Sequence, residues 1–415
     1  MKRRLILVLL SALSAHGFAQ LTLDRCHEMA RGQYPVIKQY DWVRQTEQYT
    51  LANASAAFLP RVQASLGANA FTDVLDLPAQ LSAVSGGEMK NHLLNASLQI
   101  NQLVYDGGAT AARKRITKAQ SAVDEHQLNV RMYNINRRVD QLFFGILMLD
   151  ERLKQVKLLQ NDLELTRHTV ESMQKEGLAN QSDVDAVAVE QIKVEQQKSS
   201  IIISRQAYRQ MLGMFIGQQL TERDTLISPV LTEPWGDNDI HRPELQYYGA
   251  QQQLLDQQRK ALDAQLRPKL SAFALGMYHN KVMGLMKNEM LAAGVTLSWS
   301  IDPFYTRKND IRNITAKRQT VDNERETFLF NLRLQQAGTQ STVNDLKQKI
   351  EQDERIIALR ENIHAKSIVK VQNGTETVNE MLRDVNAVGE ARQQKAIHEI
   401  QLLQEIYQLK NINNN

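Results

Sequence analysis

The sequence predicts a mainly α-helical, internally duplicated protein that carries four β-strands among its long helices. Its eight prolines are spread unevenly, since none lies between Pro78 and Pro229 and none follows Pro303. Proline interrupts helices because it lacks a backbone N–H and clashes with the preceding turn. Both proline-free stretches can therefore hold very long helices. Short alternating segments and a repeated residue pattern complete the prediction.

Composition narrows the class of protein. The chain has 415 residues, of which only 6% are aromatic, and 50 basic residues stand against 46 acidic ones. If a signal peptide carrying Lys2, Arg3 and Arg4 is removed, the formal balance falls to +1. A near-neutral chain lacks the electrostatic footprint of a nucleic-acid-binding protein, so we expect no nucleic acid as a partner. Cys26 is the only cysteine, which excludes an intrachain disulfide.

The N-terminus has the three parts of an export signal. A basic start precedes an apolar run that begins at Leu5 and extends through Leu13. The small residues Gly17 and Ala19 then stand at the two positions that signal peptidase inspects. We therefore expect a signal peptide at 1–19. A membrane anchor is the weaker alternative, because a spanning helix needs about 20 apolar residues.

The first proline-free stretch has the spacing of a coiled-coil seam. We expect a helix from about Ala109 to Lys175, a break at Gly177, and a second helix from Ser182 to about Met214. Apolar residues in the first helix recur at alternating intervals of three and four, in a register that only Gln160 and Arg167 interrupt. For any single one of these residues, ordinary helix packing is the preferred explanation. The series comprises Val139, Leu142, Ile146, Leu149, Leu153, Val156, Leu163 and Val170.

Four shorter segments alternate with the period of a β-strand. From Leu94 to Asn101, every second residue is apolar and the intervening ones are Asn, Ser, Gln and Asn. A similar alternation runs from Leu291 to Ile301. Each segment has a plausible partner upstream. The predicted strands are 61–72, 92–104, 269–279 and 291–301.

An internal repeat relates the two halves of the chain. The spacing between Pro35 and Pro60 equals that between Pro243 and Pro268, and similar residues surround each pair. Each copy has the order helix, strand, strand, long helix, turn, helix. We place the first repeat at 20–230, with a hairpin tip near 177–183, and the second at 231–415, with a tip near 373–380.

Four strands with one apolar face leave two architectures open. If the apolar face meets lipid, the sheet must close into a barrel, because open edges leave unpaired backbone groups in hydrocarbon. Four strands cannot enclose a pore alone, but three chains would supply twelve. A soluble four-stranded sheet packed on helices fits the pattern equally well.

The order of several motifs resembles the TolC-like outer-membrane factors, the exit ducts of efflux pumps and type I secretion systems. The resemblance covers nearly all of the chain beyond 1–19, and the duplicated order is more specific than any single motif. It implies a twelve-stranded trimeric barrel in the outer membrane, continued by a long periplasmic α-barrel. The motifs are Leu21–Asp24, Phe58–Val62, Leu103–Gly108, Glu176–Val184 and Asn373–Glu380.

The same resemblance implies which residues dock a partner and which line the periplasmic entrance. The two hairpin tips would dock a periplasmic adaptor that links the duct to an inner-membrane transporter. The implied docking residues are Gly177, Leu178, Ala179, Ser182, Gly374, Thr375, Thr377 and Val378. The implied periplasmic entrance consists of Asp183, Glu376, Glu380 and Arg383. In the family an acidic pair lines the entrance, but here Glu380 and Arg383 occupy those positions, so an all-acidic ring is not expected. Asp183 matches a family gate aspartate, yet Glu376 stands where some members carry its basic partner, so that closing bond is not expected either.

Enzymatic chemistry has no support in the sequence. His27-Glu28 lacks the second histidine of a metalloprotease helix, and no phosphate loop or nucleophile elbow is present. We expect no catalytic residue, cofactor or metal. The leading function is an efflux channel, with protein secretion as the alternative. A periplasmic coiled-coil structural protein is the alternative from a different class.

Overall fold

A computed structural model describes residues 20–72, 92–230, 240–280 and 288–413. The predicted signal peptide at 1–19 and the extreme C-terminus of the second repeat lie outside the described residues. The helices are α1 (Leu23–Gln33), α2 (Lys38–Ser55), α3 (Ala109–Lys175), α4 (Gln181–Ile216), α5 (Pro243–Gln265), α6 (Asp302–Gln372) and α7 (Val378–Asn413). The strands are β1 (Gln20–Leu21), β2 (Arg61–Ala70), β3 (His92–Tyr105), β4 (Thr225–Leu226), β5 (Lys269–His279) and β6 (Glu289–Ser298).

The predicted fold class is confirmed in its elements. Each half of the chain has a helical segment, two strands, a long helix and a shorter helix, in that order; in the first half the opening segment is divided into α1 and α2, and the short strands β1 and β4 flank the repeat. The chain divides into two compact units, and both contain segments from each half. The sheet unit comprises Lys38–Leu128 and Glu244–Thr327, and the helical unit comprises the rest.

The sheet unit is built on one antiparallel sheet with the strand order β2-β3-β5-β6. Its register places Ala64, Leu98, Gly276 and Leu291 side by side on one face. This apolar face is open, because Leu291 is 91% exposed and Leu98 is 49% exposed, and Ala64 is exposed as well. Ser65 and Ser97 lie on the opposite face and are joined by a hydrogen bond of 2.7 Å between their hydroxyls.

The fourth strand differs from its predicted range of 291–301. It begins earlier, at Glu289, and ends at Ser298. Beyond Ser298 the indole N–H of Trp299 donates to the Leu266 carbonyl at 3.0 Å, outside the ladder, and α6 begins at Asp302. The alternation of apolar residues continues through this connection even though the strand pairing does not.

The turn from β3 into α3 is capped by a buried aspartate. Asp106 Oδ1 accepts the Gly108 N–H at 2.8 Å, and its Oδ2 accepts the Thr110 N–H at 2.5 Å. Gly107 has a φ of +70°, which favours glycine. The Asp106–Gly108 sequence is therefore a strand-to-helix turn.

The helical unit contains α1, most of α3, α4, the second part of α6, and α7. Its core includes the fully buried rings of Phe143 and Phe144, and the Phe144 ring lies 5.6 Å from that of Tyr407. Strand β1 pairs in parallel with β4, which ties the residues before α1 to the segment after α4. Across the described parts of the chain, no helix combines the length and the apolar character needed to cross a membrane.

Candidate docking site at the hairpin tips

Each long helix of the helical unit ends in the same tight turn. Gly177 after α3 and Gly374 after α6 have φ values of +77° and +71°. The N–H groups of Leu178 and Thr375 donate to carbonyls five residues earlier, at 2.8 and 2.9 Å. This is the Schellman arrangement, in which glycine supplies the left-handed residue that ends a helix. We define the two turns as tip 1 (residues 176–183) and tip 2 (residues 373–380).

The helix that leaves each tip begins with a capping box. In tip 1, the Asn180 side chain accepts the Asp183 N–H at 3.2 Å, and Asp183 Oδ2 accepts the Asn180 N–H at 3.0 Å. In tip 2, Thr377 Oγ1 accepts the Glu380 N–H at 3.2 Å, and Glu380 Oε2 accepts the Thr377 N–H at 2.9 Å. Both boxes satisfy backbone donors that would otherwise be unpaired.

The tips differ in the surfaces they present. Leu178 of tip 1 is 57% exposed, whereas Thr375 and Thr377 give tip 2 a polar, exposed surface. Ser182 is also exposed, and no heavy atom lies within 4 Å of the space where a side chain at Gly177 or Gly374 would begin. Tip 1 therefore offers an apolar contact and tip 2 a set of hydroxyls.

Val378 does not share this exposure, although the resemblance implied a docking role for it. Its side chain is 4% exposed and belongs to an apolar cluster with Met173, Val187 and Met381. Ala179 also packs against that cluster from tip 1. Val378 thus supports the tips from within, and we remove it from the docking surface.

Two of the implied entrance residues, Glu376 and Glu380, form contacts within tip 2 or with the end of α6. Glu376 Oε2 lies 3.3 Å from Lys370 Nζ, and the Ser367 hydroxyl donates to Glu376 Oε1 at 2.5 Å. Glu380 is held by Thr377, whose backbone N–H and hydroxyl lower the pKa of this carboxyl below its usual value. Arg383, the exposed base one turn further along α7, adds to that lowering.

The two hairpins are joined above the tips by polar contacts. Arg392 of α7 lies 3.1 Å from Asp162 of α3 and 2.6 Å from Glu361 of α6. Asn386 of α7 donates to Glu190 of α4 at 3.0 Å. These contacts hold both tips at one end of the helical unit.

Sequence reasoning missed part of this site. The capping roles of Asn180 and Thr377 could have been found from the pattern of a capping residue followed by an acid three positions later. The contacts of Glu376 with Ser367 and Lys370 could not, because they form across a turn.

Comparison with known proteins identifies the fold. No family model matches the chain, and no curated protein matches its sequence. The outer membrane protein VceC of Vibrio cholerae matches with 16% identity and a TM-score of 0.66, covering 94% of both chains. The CmeC outer membrane channel of Campylobacter jejuni has 10% identity and a TM-score of 0.67, covering 94% of this chain and 85% of its own.

A third solved structure supports the same conclusion. The open state of the MtrE outer membrane channel of Neisseria gonorrhoeae has 10% identity and a TM-score of 0.66, covering 95% of this chain and 89% of its own. The chain therefore has the fold of outer-membrane channels over almost its whole length. At these identities the likeness establishes the fold alone.

Proposed function

We propose that the chain is the outer-membrane channel of a tripartite efflux pump and is not an enzyme. The observation that carries this proposal is the open apolar face of the sheet. Leu66 and Leu291 are 89% and 91% exposed in the single chain, and Val295 is 72% exposed. In water this apolar surface would stay exposed to solvent, which is unfavourable, whereas the hydrocarbon core of a bilayer would cover it.

The sheet edges support a trimer. Among the strands that the structure describes, β2 and β6 each pair on one side only, so both present a row of backbone groups for another strand. A sheet in lipid cannot leave such edges unpaired, because their backbone N–H and C=O groups would have no hydrogen-bond partners. Joining β6 of one copy to β2 of the next closes the sheet, and three copies give a twelve-stranded barrel. An eight-stranded closed barrel from two copies would leave an interior filled by side chains and no duct.

The tips support docking of a periplasmic adaptor, which would connect the channel to an inner-membrane transporter. A helical hairpin can dock through an apolar side chain and through a residue small enough to let the partner's backbone come close. In tip 1, the exposed Leu178 offers the apolar side chain and Gly177 offers the small residue. The alternative function is protein secretion, in which the same duct would carry a secreted protein. A periplasmic coiled-coil structural protein is disfavoured, because it has no use for the exposed apolar strands.

Crosslinking from the tip tests this function in cells. A Leu178→Cys variant, with a thiol-reactive crosslinker, should capture an adaptor while the trimer stays in the outer-membrane fraction. Burial raises the pKa of the Cys26 thiol to about 11, so the unsubstituted chain should remain unlabelled and serves as the control. Crosslinks to other copies alone, or extraction of the chain by buffer without detergent, would contradict the proposal.

A further inference from the structure

The polar face of the sheet carries positive charge at one end. Arg61 begins β2 and Lys269 begins β5, and both are exposed. Their positions in the register place them on the face opposite Leu98 and Leu291, together with the polar Gln63, Gln99 and Ser271. The same face also carries apolar residues of β5, namely Phe273, Leu275 and Met277. The sheet is antiparallel, so both cations lie at the end where β3 and β6 lead into the long helices α3 and α6.

No carboxylate offsets these cations on the same face of the four described strands. The acidic residue of these strands, Glu289, lies on the apolar face at the other end, opposite Tyr278. Among the described residues, neither Arg61 nor Lys269 forms an ion pair. Asp106, in the nearby turn, is buried and bonded to backbone N–H groups, and the Arg267 guanidinium lies beside the same turn.

We propose that Arg61 and Lys269 make the helix-side end of the barrel lumen electropositive, so that the lumen favours anionic solutes over cationic ones. The inference rests on the proposed channel, in which the apolar face meets lipid and the polar face lines water. Each chain contributes two cations, so a trimer contributes six. A low-dielectric wall around a narrow aqueous lumen strengthens such a field and concentrates ions of the opposite sign. The class of cargo most affected is small organic anions.

The test compares the rates at which two small thiol reagents, one anionic and one cationic, modify a cysteine beside the charge. Gln63→Cys lies on the polar face two residues from Arg61, or about 7 Å along the strand. Its matched control is Ala64→Cys, the next residue on the apolar face. The chain is measured as a detergent-purified trimer reconstituted in lipid vesicles, and modification is followed by mass.

We expect Gln63→Cys to react faster with the anionic reagent than with the cationic one, and Ala64→Cys to react with neither. Adding Arg61→Gln should lower the anionic-to-cationic rate ratio by at least about fivefold at low salt, where screening is weak. The effect should shrink at 1 M salt. Ser271→Cys with Lys269→Gln, and Ala272→Cys as its control, repeat the test on β5.

The outcomes separate this inference from the proposed channel. A rate ratio at Gln63→Cys that Arg61→Gln leaves unchanged overturns the charge assignment while the channel stands. Equal reactivity at Gln63→Cys and Ala64→Cys, or no reaction at either, shows that the two faces do not divide water from lipid. That result overturns both.

Discussion

Asp183 and Glu380 perform the same task in the two halves of the chain. Each accepts the backbone N–H of the residue three positions earlier, Asp183 from Asn180 at 3.0 Å and Glu380 from Thr377 at 2.9 Å. Both carboxylates therefore close the first turn of the helix that leaves a tip. Their charge stabilises the positive end of that helix, which makes the tips ordered despite their exposure.

Removing the caps should loosen the tips. Asn180→Ala and Thr377→Ala each remove a side-chain acceptor, at an expected cost of about 1 kcal/mol. Hydrogen exchange at the first amides of α4 or α7 should rise accordingly, while the sheet is unaffected. Ser182→Ala is the control, since that exposed side chain caps no helix. Equal exchange in all three variants would show that the caps do not order the tips.

The second tip should lose order at low pH. The bonds from Thr377 lower the pKa of Glu380, so the carboxylate favours the folded tip above the pKa that Glu380 has in the unfolded chain. As pH falls through the lowered pKa, the carboxyl is protonated and this contribution is lost. Amide exchange at tip 2, corrected for intrinsic rates, should therefore increase below about pH 4.5, the region of an ordinary glutamate. Glu380→Gln should remove this pH dependence; its persistence in that variant would assign it to another group.

Tryptophan at either tip glycine should permit trimer assembly but prevent transport. Gly177 and Gly374 adopt a left-handed conformation that costs most residues roughly 1–2 kcal/mol, whereas asparagine adopts it more readily. Because open space surrounds both positions, Gly177→Trp and Gly374→Trp should still form trimers in the outer membrane. They should fail in transport, since the ring blocks close approach of an adaptor hairpin. Normal transport by both tryptophan variants would make these glycines turn formers only.

The apolar cluster that includes Val378 and Met381 should contribute strongly to the stability of the hairpins. Met381 is 1% exposed, and Met381→Ala should lower the free energy of unfolding by about 2–5 kcal/mol through lost contacts and a cavity. Leu178→Ala removes a side chain that is mostly in water and should cost little. Denaturant titration of the two variants checks the difference. Similar midpoints would mean that the cluster does not hold the hairpins together.

Much of the fold could be predicted because its signals are local. The helix Ala109–Lys175 was expected at the same bounds, since no proline interrupts it and Asp106-Gly107-Gly108 and Gly177 mark its ends. The apolar face of β3 was likewise predicted from alternation alone. The end of β6 was not, because Trp299 leaves the ladder through a contact with Leu266 that lies 33 residues away in sequence.

The docking surface was less predictable than the fold. Val378 has the sequence context of an exposed turn, yet the α3–α4 hairpin buries it against Met173 and Val187. The engagement of Glu376 by Lys370 depends on how the tip folds back on α6. Such contacts join residues across a turn or between hairpins, and the periodicity of the sequence cannot predict them.

The membrane position of the sheet is tested most directly by placing one charge on each of its faces. Leu98 and Gln99 are adjacent near the middle of β3, and their side chains lie on opposite faces. Leu98→Arg should cost about 2–4 kcal/mol in a bilayer midplane, while Leu297→Arg, near the helix-side end, should cost about 0–1 kcal/mol. We predict that heat-resistant trimer in the outer membrane falls sharply for Leu98→Arg and stays normal for Gln99→Arg. Equal trimer levels for Leu98→Arg and Gln99→Arg would contradict the channel.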